Sequence, residues 1–173
     1  NRAAFDEPIA IHALERFIGD FGSSLNEKVE KAKGERKERI AVIGSGPAGM
    51  SCAYHLTKLH YHVSIFESSS LAGGMLRYGI PSYRLPKDVL DREISNIEAL
   101  GVEIRTGIQF GKNLKLLEDL KDYDAIFIAT GAHQSRGLQI PGEKGRDVLS
   151  GLDLLDKINL RRKTTLGDRI AII

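Results

Sequence analysis

The stretch Ile40-Ala41-Val42-Ile43-Gly44-Ser45-Gly46-Pro47-Ala48-Gly49 decides the fold. Four consecutive apolar residues, two isoleucines and a valine among them, read as a strand buried on both faces. The strand runs into Gly44, Gly46 and Gly49, the G-x-G-x-x-G spacing of a dinucleotide-binding turn. The three glycines serve separate ends. Gly44 permits the tight turn, Gly46 lets backbone approach a pyrophosphate, and Gly49 lets the next helix pack on the strand. The N–H groups opening that helix, with its dipole behind them, stabilise phosphate charge. An ordinary glycine-containing strand-to-helix turn carries the same letters, so the flanks must discriminate.

Downstream, Met50, Ala53, Leu56 and Leu59 fall on one face of a helix. His62-Val63-Ser64-Ile65-Phe66-Glu67 then alternates with period two toward an acidic end. Glu67 follows Gly49 by 18 residues, close to the ~20-residue offset at which a carboxylate reaches a ribose hydroxyl. Alone it would read as a solvated strand end. Strand, glycine turn, helix, strand and acid together form a βαβ unit of an α/β, Rossmann-like fold, a parallel sheet with flanking helices.

The 173 residues suffice for one good-sized domain with appendages. Hydrophobic content of 42%, charged content of 28% and a net charge of +2 give no reason to invoke nucleic acid or an acidic membrane surface. Nothing approaches the ~18 apolar residues of a membrane span. The single cysteine, Cys52, excludes an intrachain disulfide and a self-contained zinc or iron–sulfur site. It reads as a small packing residue. His12, His55, His60, His62 and His133 lack ligand-like spacing and read as surface or packing residues.

Before the glycine turn, Asp6 to Phe21 reads as a helix with Asp6 as N-cap, Pro8 in its first turn and Gly19 weakening its far end. Its stripe of Ile11, Leu14, Ile18 and Phe21 needs a surface to dock on. From Glu27 to Arg39, ten of thirteen residues are charged, with mixed signs, which marks a solvated helix or linker. After Glu67, residues 68–86 read as a long glycine-rich functional loop. Lys87 to Leu100 reads as an amphipathic helix, residues 102–106 as a short strand, and Leu114, Leu117 and Leu120 mark another helix. Asp124 to Gly131 is a second buried strand ending in Ala129-Thr130-Gly131, where small residues let backbone lie against a flat ring. Leu152 to Leu160 could be a helix.

Arg169-Ile170-Ala171-Ile172-Ile173 repeats Arg39-Ile40-Ala41-Val42-Ile43 almost letter for letter. The second copy stops where its own glycine turn would begin. The expected organisation is an N-terminal helical segment and charged linker at 1–37, a nucleotide-binding domain at 38–150, and at 151–173 a connecting helix with the first strand of a second, truncated dinucleotide domain.

Asp6-Glu7-Pro8-Ile9-Ala10-Ile11, Gly44 to Gly49, Phe66-Glu67, Gly73-Gly74-Met75-Leu76-Arg77-Tyr78-Gly79-Ile80-Pro81, Tyr83-Arg84-Leu85-Pro86, Ala129-Thr130-Gly131 and Ile140-Pro141-Gly142-Glu143 together resemble one family. It is that of the small (β) subunit of NADPH-dependent glutamate synthase and related FAD/NAD(P)H iron–sulfur oxidoreductases. The resemblance covers almost the whole chain, and residues 73–86 are its most specific part.

The resemblance implies that the dinucleotide is FAD. It implies that Gly44, Ser45, Gly46, Pro47, Ala48 and Gly49 hold the pyrophosphate and Glu67 the adenosine ribose. Gly74 and Met75 would approach the flavin half, Arg84 would contact FAD through its guanidinium, and Phe110 would face the adenine through backbone atoms. Thr130 and Gly131 complete the expected cofactor set, while Arg77 is divided between a site role and a surface role. No catalytic acid, base, nucleophile or metal ligand stands out.

Relatives of this kind pass electrons from NADPH or NADH through FAD to 4Fe-4S clusters. The implied partners are an iron–sulfur domain and an NAD(P)H domain of the same parent chain and a larger catalytic subunit, all cytoplasmic, so the fragment alone is expected to be inactive. Two other readings stay open: a dehydrogenase binding NAD at Gly44 to Gly49, and a catalytically silent FAD module serving assembly.

Overall fold

The computed structural model describes residues 4–24 and 36–173. Most of the charged run from Glu27 lies outside the described residues. Four parallel strands form one sheet in the order β3-β2-β1-β4, with β1 Arg39–Ile43, β2 His62–Phe66, β3 Glu103–Arg105 and β4 Ala125–Ile128. Each parallel step is bridged by a crossover, so the sheet carries side chains on both faces and its inner strands are apolar. One face packs Ile40, Val42, Val63 and Ile65 against Met50 and Ala53 of α2 (Pro47–Lys58) and Leu90 and Ile94 of α4 (Lys87–Ala99). Cys52 packs at the margin of this core, as its reading predicts, and burial raises its thiol pKa. The other face packs Ala41, Ile43 and Phe66 against Leu114 and Leu120.

The βαβ unit is where the periodicity predicts it. Leu59 departs from the expected face: it caps the C-terminus of α2 and is exposed. The stretch 68–86 is not structureless. Gly74, in positive φ at 52°, opens a one-turn helix α3, Met75–Tyr78. The helix expected around Leu114 to Leu120 shrinks to one turn, α5 (Leu116–Asp119), with Leu114 and Leu120 buried on either side. The helix near the C-terminus, α6 (Gly151–Asn159), is capped by Ser150, whose hydroxyl accepts from the Asp153 N–H.

Two expectations about the ends need correction. The N-terminal helix α1 spans Ile11–Ser24, beginning after Pro8 and running through Gly19; Asp6 accepts instead from the N–H of Glu7 at 2.8 Å. Proline lacks an N–H and favours extended backbone before it, which delays the helix. Its apolar stripe, including Ile11, Leu14, Ile18 and Phe21, is exposed. Residues 170–173 form no strand, and Ile172 and Ile173 are fully exposed. A strand exists only through its ladder partners, and this repeat of β1 pairs with no strand among the described residues.

Candidate functional site

The carboxyl ends of β1, β2 and β4 meet at one rim, the place where open α/β sheets take ligands. Gly44 leaves β1 at φ +105°, and its N–H donates to the Phe66 carbonyl at 2.8 Å. A Cβ there would lie 2.3 Å from the Ala129 carbonyl oxygen, so the turn lies directly against the end of β4. A Cβ on Gly49 would fall 2.0 Å from the Gly44 carbonyl oxygen, which closes helix α2 onto the turn. Both positions need glycine for contact with backbone.

Gly46 differs. It caps α2 with φ −69° and ψ −179°, angles open to any residue, and its missing Cβ points into empty space. On another side of Gly46 stands Gly74, whose own Cβ would lie 2.7 Å from the Gly46 Cα. The two glycine backbones therefore approach closely beside the helix start, and no described atom lies within 4 Å of the Gly46 Cβ position. Pro47 supplies no N–H, and Met50 donates back to the Gly46 carbonyl at 2.9 Å. The N–H groups of Ala48 and Gly49 precede any intrahelical acceptor and face the helix start.

Ser45 ties the site together. It is fully buried, its N–H donates to Glu67 Oε2 at 3.0 Å, and its hydroxyl donates to the same oxygen. The same Oγ accepts from the Gly73 N–H at 3.0 Å. Glu67, 5% exposed, stands at the end of β2 as its spacing predicts. Its other oxygen accepts from the Ser69 N–H at 2.7 Å and the Ser68 hydroxyl at 3.2 Å. Burial pushes the Glu67 carboxyl pKa up, but the bonds from Ser45 and Ser69 outweigh it and leave the pKa below its ordinary value. The Ser45 N–H is thus spent inside the chain.

Behind Gly73-Gly74, the loop is held by its own side chains. Arg77 is buried, donating to the Ala72 carbonyl and pairing with Asp91 of α4. This burial corrects the surface reading of Arg77. Lys87 Nζ donates to the carbonyls of Leu76 at 2.9 Å and Ile80 at 2.6 Å. The Tyr78 hydroxyl bonds both the N–H and the carbonyl of Leu71, and Asn159 of α6 donates to the Tyr78 carbonyl at 2.8 Å.

The structure brings Gly44, Ser45, Gly46, Glu67 and Gly74 together, with Ala129 and Thr130 against Gly44. Met75 is half-buried and lies over Gly79. Arg84, Thr130 and Gly131 are exposed, the last at φ +69°. Phe110 is exposed on a loop whose Gly107 and Ile108 N–H groups donate to the carbonyls of Ser69 and Glu67. Sequence reading missed Gly73, Ser69 and Lys87. A pair of adjacent glycines opening a helix was the available signal for Gly73; nothing local marked the other two.

Residues 38–173 match the family model for pyridine nucleotide-disulphide oxidoreductases. The chain is 37% identical to the NADP(+)-dependent formate dehydrogenase subunit beta of Moorella thermoacetica, across 99% of this chain and 28% of that one. It is 36% identical to the NADH glutamate synthase of Schizosaccharomyces pombe, across 88% of this chain and 7% of that one. Among solved structures, Mycobacterium tuberculosis FprA in complex with NADPH aligns with a TM-score of 0.64 at 26% identity, covering 72% of this chain and 29% of that one. The chain thus spans well under half of each relative. No helix among the described residues is long and apolar enough to cross a membrane.

Proposed function

This chain belongs to the pyridine nucleotide-disulphide oxidoreductase family, and on that footing we propose that it is the FAD-binding portion of an NAD(P)H-dependent electron-transfer oxidoreductase of the glutamate synthase small-subunit kind. The observation that carries the reading is the open space over Gly46 at the start of α2, with the Gly74 backbone packed close beside it. A Cβ at Gly46 would fill that space, so the residues present fit a pyrophosphate.

In this reading the N–H groups of Ala48 and Gly49 take the phosphate oxygens, with the α2 dipole behind them. Glu67 takes the adenosine ribose by exchanging a bond from Ser45 or Ser68 for one from a ribose hydroxyl. Gly74 and Met75 border the flavin half, Thr130 and Gly131 flank the strand end, and Arg84 and Phe110 close the outer edge. FAD supplies the redox chemistry, and the protein supplies orientation and electrostatics. Among the residues of this chain, Cys52 is the single cysteine, and the onward electron carrier lies elsewhere in this reading. We assign that role to 4Fe-4S clusters, with an iron–sulfur domain, an NAD(P)H domain and a larger subunit as partners. The setting is cytoplasmic, where a lone thiol stays reduced.

Titration of the purified chain with FAD and, separately, with NAD tests the reading. Tight, stoichiometric binding of FAD with a shifted flavin spectrum is expected. Preferential binding of NAD would overturn it in favour of a dehydrogenase domain.

A further inference from the structure

The opposite rim of the sheet, where the strands begin, carries a second charged surface. In the parallel register Arg39 of β1 stands beside His62 of β2, and Ser64 beside Glu103 of β3. The β ladder extends one residue further, since the His62 N–H donates to the Glu38 carbonyl at 3.2 Å. Lys37, two residues before Arg39, therefore shares its face. These residues line an open groove of about 520 Å³.

Charge in the groove is unbalanced. Glu103 is the only acidic lining residue among the described residues, and both of its oxygens are engaged. Arg105 Nε and a terminal guanidinium nitrogen donate to them at 2.8 and 2.9 Å, and the Ser64 hydroxyl adds a third bond at 3.1 Å. These bonds hold its carboxyl pKa below the ordinary value. Arg39 is held in place, its guanidinium 4.7 Å over the Tyr123 ring, and Tyr123 meets Phe66 edge to face at 5.8 Å. Lys37 and His62 have no acidic partner among the described residues. A fixed guanidinium, an ammonium and an imidazole thus line one cavity whose carboxylate is already neutralised.

We propose that this groove binds a small oxyanion, a phosphate or carboxylate group, independently of the glycine turn at the other rim. A charge-assisted bond from Arg39 and the unpaired charge of Lys37 supply the attraction, and the groove's openness makes binding salt-dependent.

Isothermal titration of the whole chain with inorganic phosphate, and separately with succinate, provides the test, the stronger ligand identifying the chemistry. Lys37→Gln, an exposed change that keeps the fold, and Arg39→Gln are each expected to weaken binding by about tenfold. Glu103→Gln is expected to tighten it, because the change removes the one carboxylate charge among the described lining residues. Gly46→Val, which blocks the other rim, is expected to leave it unchanged. Binding lost in Gly46→Val and kept in both cation variants would move the anion to the glycine turn and overturn the proposal. So would the absence of saturable binding by either ligand.

Discussion

Ser45 gives both its N–H and its hydroxyl to a single carboxylate oxygen of Glu67, 22 residues further on. That pair of hydrogen bonds fixes the glycine turn to the end of β2, and the Gly73 N–H on the same hydroxyl extends it to the loop opposite. The spacing between Gly46 and Gly74 is therefore set by a buried polar network.

Replacing Glu67 by Ala strands the N–H groups of Ser45 and Ser69 without their acceptor. Each unsatisfied buried group costs roughly 1–3 kcal/mol, so Glu67→Ala should lower the thermal midpoint of the ligand-free protein as well as weaken FAD. Differential scanning calorimetry without cofactor checks this. An unchanged midpoint would mean that the network contributes nothing to folding.

The depressed Glu67 pKa fixes the sign of a pH effect. Its contribution to stability is complete above the ordinary glutamate value of about 4.5 and is lost as pH falls through the lower folded value. Denaturant melts between neutral pH and about pH 3 should show this loss. Glu67→Gln, less stable at neutral pH, should show a flatter acid limb.

Glycines of one motif should separate by phenotype. Gly46→Val faces open space in the ligand-free fold, so it should melt like the wild type yet bind FAD at least about a hundredfold more weakly, about 2.7 kcal/mol. Gly49→Ala, with its Cβ 2.0 Å from the Gly44 carbonyl oxygen, should destabilise the fold by more than about 2 kcal/mol. Equal melting of the two variants would contradict the assignment of Gly46 to the ligand space.

Arg77 and Asp91 form an unequal pair, the first side chain 9% exposed and the second 60%. Arg77→Ala removes packing and leaves the Ala72 carbonyl unpaired, at an expected cost of about 2 kcal/mol. Asp91→Ala should cost less than about 1 kcal/mol, because the carboxylate is solvated. Urea titrations of the two variants compare them directly.

Helix α1 presents Leu14, Phe17, Ile18 and Phe21 to solvent. A 14-residue helix whose apolar face is this exposed is marginal in water. Amides across Leu14 to Ile18 should therefore exchange much faster than those of α2. Protection equal to that of Met50 to Leu56 would reveal a docked helix.

The βαβ unit was legible because every signal in it is local: four apolar residues, three spaced glycines, a helical face and an acid at a set offset. The placement of Glu67 was legible too, but not its bonds, which depend on the rotamer of Ser45 and on a loop two residues downstream. Arg77 is divided in sequence between site and surface, and the fold buries it where α4 brings Asp91 to it. The one-turn helix α3 hides in a glycine-rich stretch because two consecutive positive φ angles, at Gly73 and Gly74, precede it. Residues 170–173 form no strand in this chain. Their letters copy β1, yet identical letters make a strand only where a ladder receives them.

The contact of Gly44 with the Ala129 carbonyl also dictates an order of events during synthesis. Strand β1 lies between β2 and β4, and the Arg39 N–H reaches the Asp124 carboxylate across a sequence separation of 85. A nascent chain that has made only β1, α2 and β2 holds every glycine of the motif, yet one wall of its turn is absent. Contacts this remote form late, since the loop must close before it is rewarded. On the proposed function, cofactor capture should therefore wait for β4 to leave the ribosome: chains stalled short of it should not retain flavin, and chains extended past Gly131 should.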